Sequence, residues 1–196
     1  MIPRHVQITA LVLIVAMFSA GFYMLQLKAR AERTGAPSPD ARPISAPVSG
    51  PKMKVELFIA FDEDGVIRPR EAQVALPEEP SLRAREVLRT LVGAYLTKPT
   101  SHSLAPGADV KDVYLLNGGV AIVDITAEFA DGHRSGVFVE ELTVASLVQT
   151  LAANVPGVTR VKILVDGKER ETLAGHADLM SFYDVNAVND LVKAMQ

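Results

Sequence analysis

The sequence contains no cysteine and no tryptophan among its 196 residues. The lack of cysteine excludes disulfide bridges, thiolate metal sites, thiol catalysis and a lipidated N-terminal cysteine. Only 6% of the residues are aromatic, which argues against a surface that stacks sugars or bases. Neither sign of charge dominates, because the sequence has 20 Lys and Arg and 23 Asp and Glu, which gives a net charge of -3. We therefore exclude a strongly basic nucleic-acid binder and expect no nucleic-acid partner.

One long apolar segment lies near the N-terminus. Residues Ile8–Leu27 read ITALVLIVAMFSAGFYMLQL and carry no charged side chain. As a helix this segment would span about 30 Å, which matches the hydrocarbon core of a bilayer. The alternative is a cleaved signal peptide, whose apolar core usually has about 7–15 residues. We predict one transmembrane helix within an uncleaved anchor, residues 1–27, with the lipid bilayer as a partner.

The charges beside this segment bear on its orientation. Arg4 precedes it, whereas Lys28, Arg30 and Arg33 follow it. Positive flanks favour the cytoplasmic side, so this count alone favours a cytoplasmic C-terminal part.

The rest of the chain divides by composition into three segments. Residues 28–51 contain five prolines among Ala, Ser and Gly, which predicts an extended linker. Residues 52–183 have the length and apolar content of one folded domain. Residues 184–196 are a C-terminal tail with a helical pattern. From residue 52 onward, 15 basic and 21 acidic side chains give a net charge of -6.

The pattern of apolar residues and turns predicts an α+β fold for the domain. We expect a small mixed sheet with two helices on one face, in the order β-β-α-β-β-α-β-β. The predicted helices are Ser81–Leu96, capped by Ser81, and Glu140–Val155, with a further helix at Asp184–Met195. The predicted strands are Lys54–Phe61, Val66–Leu76, Val110–Leu116, Val120–Thr126, Thr159–Val165 and Glu171–Leu173. Asn117-Gly118-Gly119 predicts a tight hairpin turn between the third and fourth strands.

The four histidines offer no recognisable catalytic or metal-binding pattern. They are His5, His102, His133 and His176, and no pair has metal-ligand spacing. Nothing in the sequence fixes a serine or carboxylate partner for His102 or His133, so we interpret both as polar loop residues. A hydrolase would instead need these histidines, or a carboxylate, clustered in a deep pocket.

The acidic residues suggest structural roles. Asp62-Glu63-Asp64-Gly65 lacks the spacing of a calcium loop, which favours a solvated turn. The pairs Glu78-Glu79 and Glu140-Glu141 are poorly placed to share a proton, and the second suits a helix N-terminus. Asp124 interrupts a strand, where we expect it to point outward; the alternative is a hydrogen-bonding or site role. We predict no catalytic, metal-binding or cofactor-binding residues, and hence no cofactor.

Several short motifs follow one another in an order typical of one known domain. They are Leu91-Val92-Gly93, Pro106-Gly107, Val123-Asp124-Ile125-Thr126 with Phe129, Gln149-Thr150-Leu151, Pro156-Gly157-Val158, Val165-Asp166-Gly167 and Gly175-His176-Ala177-Asp178-Leu179. In this order they resemble the GerMN domain of bacterial sporulation and germination proteins, over about Lys54 to Leu179. Ala94 departs from the pattern, because a proline commonly follows the glycine there.

The resemblance implies a small α+β fold related to ring-building modules of bacterial envelope assemblies. It implies no catalytic residue. We therefore expect a non-catalytic scaffold or accessory module that binds envelope proteins or cell-wall polymer and associates weakly with itself. It also implies a domain outside the cytoplasm, against the flanking charges, and long domains can translocate despite such charges. An extracytoplasmic ligand-binding sensor and a cell-wall hydrolase are the alternatives.

Overall fold

The computed structural model describes residues 50–194, which form one α+β unit. The strands are β1 (Lys52–Phe61), β2 (Val66–Ala75), β3 (Val110–Leu116), β4 (Val120–Ile125), β5 (Arg160–Val165) and β6 (Tyr183–Asp184). The helices are α1 (Pro80–Leu96), α2 (Ala127–Asp131), α3 (Val137–Asn154) and α4 (Val185–Ala194). The predicted anchor and nearly all of the predicted linker lie outside this range, as does His5. Among residues 50–194, no helix is both long enough and apolar enough to cross a bilayer.

The strands form two sheets, so the prediction of one sheet was wrong. β1 and β2 pair with each other alone, as an antiparallel ribbon. The second sheet has the order β3-β4-β5-β6, with β4 and β5 parallel and the other pairs antiparallel. The predicted hairpin between β3 and β4 is confirmed. Gly118 and Gly119 in its turn have φ angles of 79° and 75°, which glycine adopts readily.

The two faces of the four-stranded sheet differ in burial. Val113, Val123 and Ile163 lie side by side on one face and belong to the same core as the buried residues of α1 and α3. On the opposite face Tyr114 is 49% exposed and its cross-strand neighbour Ile122 is half-buried. The helices therefore cover one face. The other is exposed at Tyr114, although Asp124 and Lys162 on it are each 5% exposed, and we call it the uncovered face.

Helix α1 begins one residue earlier than predicted and has a different cap. The side chain of Glu79 accepts hydrogen bonds from the backbone N–H groups of Ser81 (2.9 Å) and Leu82 (2.6 Å). Ser81 is therefore not the cap. Pro80 takes the first helical position, where no backbone donor is needed. One member of the Glu78-Glu79 pair thus has a structural role, as a carboxylate at a helix N-terminus.

Side chains of α3 complete the outer edge of β1. Thr150 Oγ1 accepts from the N–H of Phe58 at 2.9 Å, and Ser146 Oγ donates to the carbonyl of the same residue at 2.5 Å. Asn154 binds both the N–H and the carbonyl of Glu56, at 3.0 and 2.7 Å. Ser146, Thr150 and Asn154 are four residues apart and therefore share one face of the helix. This helix takes the place of a third strand beside the ribbon.

The segment after β5 differs from the prediction. Residues Glu171–Leu173 are not a strand, and the sheet is instead completed by the two-residue strand β6. The segment folds back on itself through a bridge between Thr172 and Asp178 and a hydrogen bond from Leu173 N to the Ala177 carbonyl at 3.0 Å. Its N–H groups are used to bind a carboxylate, described below.

Candidate functional site

A closed ring of hydrogen bonds joins five residues from four parts of the chain. Oδ1 of Asp62 lies 2.6 Å from Nδ1 of His102, whose Nε2 lies 2.8 Å from Oγ1 of Thr143. The same hydroxyl lies 2.7 Å from Nε2 of His133, whose Nδ1 lies 2.8 Å from the carbonyl oxygen of Arg134. Arg134 Nη2 donates to Oδ2 of Asp62 at 2.9 Å and closes the ring. We call these five residues the histidine ring.

Proton positions in the histidine ring follow from its acceptors. A carboxylate and a carbonyl can only accept, so Nδ1 carries the proton in both His102 and His133. When both imidazoles are neutral, both Nε2 atoms face the single hydroxyl proton of Thr143, which can serve one of them at a time. Burial lowers the pKa of His102, against the opposing effect of Asp62, and burial lowers the pKa of His133 as well. Both side chains are therefore neutral in the fold near pH 7.

The order carboxylate, imidazole, hydroxyl is the arrangement that activates a nucleophile in many hydrolases. Here the hydroxyl is inaccessible, because Thr143 and His102 are both 0% exposed and His133 is 7% exposed. The Thr143 hydroxyl also lies 2.9 Å from the Val139 carbonyl, a contact common for helical threonines, and this oxygen competes with the two imidazoles for its one proton. The ring therefore has the composition of a catalytic group but lies within the core. It fastens three loops to α3.

The interpretation of His102 and His133 as polar loop residues did not foresee their burial. Both lie in loops, but both are buried and hydrogen-bonded. The sequence contained no signal for this, because the partners of His102 are about 40 residues away along the chain in either direction. The turn that begins with Asp62 is solvated only in part. Glu63 and Asp64 are exposed, whereas the Asp62 side chain is 13% exposed and bonded to the ring.

A second buried group is the carboxylate of Glu140, in the first turns of α3. One oxygen accepts from the backbone N–H groups of Ala174, His176 and Ala177 at 2.9–3.0 Å. The other accepts from Gly136 N at 3.1 Å and lies 2.9 Å from Nδ1 of His176. We call this arrangement the glutamate cage. It gives the Gly175-His176-Ala177 motif a physical role, which is to fold the loop after β5 around the start of α3.

The glutamate cage holds its carboxylate in the charged form. Burial by itself would raise the pKa of Glu140, but the hydrogen bonds from His176 and from the N–H groups of Ala177, Gly136 and Ala174 lower the pKa to about 2. The neighbouring Glu141 takes no part in the cage. The two residues form no acid–base pair, in line with their spacing along the helix.

Asp124 lies on the sheet face opposite Val123, as the alternation predicted, but it is not open to solvent. It is 5% exposed, and its Oδ1 accepts from Gly167 N at 2.7 Å. The alternative, a hydrogen-bonding role, is the one the structure supports. The bond joins the end of β4 to the Asp166-Gly167 turn after β5. Within residues 50–194, no three His, Asp or Glu side chains are grouped so that they could hold a metal ion.

An open groove of about 430 Å³ lies beside the ribbon. Ile59 and Phe61 of β1 and Ala94 of α1 form its apolar floor, and Arg68 and Arg70 of β2 lie exposed at its rim. We call it the arginine groove. It is a trough and not the enclosed cavity that a small-molecule sensor would require.

The ordered motifs and the α+β fold can now be compared with known proteins. A family model named Germane, described as sporulation and spore germination, matches residues 57–171, more than half of the chain. The chain belongs to the Germane family. The predicted GerMN-type domain is thereby confirmed. The matched part of the Germane domain includes the histidine ring, the arginine groove and Glu140, and it ends just before Ala174, His176 and Ala177 of the cage.

Two solved structures of one Bacillus subtilis protein are similar to the Germane domain. The tandem GerMN domains of the sporulation protein GerM share 21% identity with it and a TM-score of 0.52, over 66% of this chain and 45% of that one. The first GerMN domain of the same protein has 21% identity and a TM-score of 0.47, over 66% and 94%. At this identity the first comparison shows a shared fold. No curated protein matches the chain.

Proposed function

We propose that this Germane-family chain is a membrane-anchored, non-catalytic scaffold or accessory module of a bacterial cell-envelope assembly. Its partners would be envelope proteins, with weak self-association between copies. The membership of a family described by sporulation and germination supports an envelope role.

The observation that carries the proposal is the burial of the histidine ring. A hydrolase needs a nucleophile and a base that substrate can reach. Ser135 Oγ also lies 3.4 Å from His176, but on the same Nδ1 that faces Glu140 at 2.9 Å, so this imidazole does not link the hydroxyl to the carboxylate. The carboxylate–imidazole–hydroxyl chain of the histidine ring has its hydroxyl at 0% exposure. Its bonds instead fix the loops around α3. The ring therefore supports a structural role, and a domain with rigid loops is suited to presenting a binding surface.

Replacing Thr143 by valine tests this proposal, because the two side chains have nearly the same shape. We expect a loss of stability of about 1–3 kcal/mol, since the two buried imidazole nitrogens lose the hydroxyl donor that they share. We also expect the variant to complement a deletion strain fully at a temperature where it stays folded. Urea unfolding and complementation at matched abundance measure the two effects.

Thr90→Val is the matched control. Thr90 donates to the Glu86 carbonyl at 2.8 Å, the same contact that Thr143 makes with Val139, but belongs to no ring. We expect it to be clearly less destabilising than Thr143→Val. A folded Thr143→Val protein without activity in cells would contradict the scaffold role and favour a hydroxyl nucleophile.

We further propose that the anchor at Ile8–Leu27 holds the domain on the outer side of the cell membrane. A C-terminal reporter enzyme that works only outside the cytoplasm should then be active on the full chain. A second fusion, to a reporter that works only inside, should be silent. The reverse pair of results from stable fusions would show that the charges of Lys28, Arg30 and Arg33 decide the orientation.

A further inference from the structure

We propose that the arginine groove is the docking site for an extended acidic segment of a partner protein. The inference rests on the proposed scaffold role and names the surface and the partner chemistry through which it would act. A volume of about 430 Å³ lies within the range of ligand-binding clefts and accommodates a few side chains. The groove adjoins a second depression of about 170 Å³, and the two share Phe61, Thr100 and Ser101. Asp62, Glu63 and Asp64 line the second depression, so an acidic segment would lie in the arginine groove and end before that depression.

The charge at the rim of the arginine groove indicates which charge the bound segment should carry. From residue 52 onward the net charge is -6, yet the exposed side chains at this rim are Arg68 and Arg70, with exposed Lys98 next to Pro99 of the lining. Arg68 is held 4.7 Å above the ring of Phe61 and is neutralised by Asp64 at 2.8 Å. Within residues 50–194, the Arg70 guanidinium has no hydrogen bond or ion pair. A local positive charge on an acidic domain attracts an acidic partner.

The floor indicates a protein segment and not a sugar polymer. Ile59, Phe61 and Ala94 offer apolar surface, which apolar side chains of a peptide can cover. Two aromatic rings line the groove. Phe61 is covered by Arg68 and Tyr95 is 2% exposed, so neither ring is free to stack on a sugar. An occupant that alternates acidic and apolar residues would place carboxylates at Arg70 and apolar side chains on the floor. Arginine forms two parallel hydrogen bonds with such a carboxylate.

Binding is tested with the full-length protein in detergent micelles. The probe is a fluorescein-labelled peptide, Glu-Leu-Glu-Phe-Glu-Leu, and fluorescence anisotropy reports its binding. We expect Arg70→Glu to weaken binding by on the order of tenfold or more. The control is Lys168→Glu, which reverses a positive charge at an exposed residue outside the groove. We expect it to change binding of the peptide little. A peptide with Lys in place of Glu should bind Arg70→Glu better than the original protein.

Three results would overturn the proposal. They are equal binding of a peptide with Gln in place of Glu, equal weakening by the two charge reversals, and no binding of the acidic peptide. The first would show that carboxylates are not recognised. The second would show long-range attraction without a site.

A second experiment, in intact cells, separates this inference from the proposed function. A photoreactive phenylalanine analogue replaces Lys98 beside the groove or, separately, Tyr114 on the uncovered face. Crosslinks from position 98 to a mapped acidic segment, lost on Arg70→Glu, support the groove. Crosslinks from position 98 that persist in Arg70→Glu, or crosslinks from position 114 alone, overturn the groove and leave the scaffold role standing. No reproducible partner from either position would count against both.

Discussion

Glu140→Gln should destabilise the domain by at least about 3 kcal/mol, because it breaks a buried, charged network. The glutamine retains one acceptor oxygen and places an NH2 group against N–H donors that now have no acceptor. The donors at risk are Gly136 on one oxygen and Ala174, His176 and Ala177 on the other. For a domain of this size we expect a fall in Tm of about 10 °C, measured by circular dichroism.

Glu141→Gln is the matched control for the glutamate cage. It makes the same chemical change one residue later on α3, at a half-buried position outside the cage. We expect a change within about 0.5 kcal/mol, as for a typical surface substitution. Equal destabilisation by the two variants would mean that helix charge, and not the cage, accounts for the effect.

Acid should lower the free energy of unfolding in two separate pH ranges, one for each buried network. Burial lowers the pKa of His102 and His133 below the usual 6.5, so the unfolded chain binds more protons than the fold near that pH. Stability from the neutral histidines is complete above about pH 6.5 and is lost as the pH falls towards their lowered values. The cage acts lower, because the pKa of Glu140 moves from 4.5 to about 2. Its contribution is complete above pH 4.5 and is lost on the way to pH 2.

Urea unfolding between pH 8 and pH 3 measures this profile. Each histidine can contribute a slope of up to about 1.4 kcal/mol per pH unit within its window. The charged residues that affect the pKa values of His102 and His133 are Asp62, Arg134 and Glu140. The two imidazoles also affect each other. His102→Asn should reduce the slope between pH 6.5 and 5 although it lowers stability at every pH. A flat profile for the unmodified protein from pH 7 to pH 5 would contradict the prediction.

Local signals in the sequence predicted the local structure. The Asn117-Gly118-Gly119 turn with its flanking alternation predicted the β3–β4 hairpin, whose strand bounds agree to within one residue. The apolar stripe of α1 and the Pro156-Gly157 stop after α3 predicted those helices within a few residues. Such features depend on neighbours in the chain, which is why pattern alone recovers them.

Contacts between distant residues could not be predicted in this way. Asp124 breaks an apolar run, and the pattern alone favours an outward position, because the N–H of Gly167 that binds it is 43 residues away. For the same reason, the sequence predicted only a helix-end charge at Glu140. The loop whose N–H groups bind its carboxylate begins more than thirty residues later in the chain. The separation of the ribbon from the main sheet depends on the side chains of α3. The alternation in β1 does not reveal that a helix and not a strand occupies its edge.

The ribbon also bears on how this chain avoids assembling wrongly when many copies are concentrated at one surface. A two-stranded ribbon usually offers two templates on which another chain can stack into cross-β structure. The outer edge of β1 is already occupied, because the backbone groups of Glu56 and Phe58 are hydrogen-bonded to side chains of α3, those of Asn154, Thr150 and Ser146. The N–H and carbonyl of Phe58 point away from β2. Pro69 lies opposite Phe58 in the ribbon, so its backbone nitrogen points to the outer edge of β2, which is the other open edge. A proline there has no N–H to donate, and a strand that tried to add itself would leave a gap in its ladder.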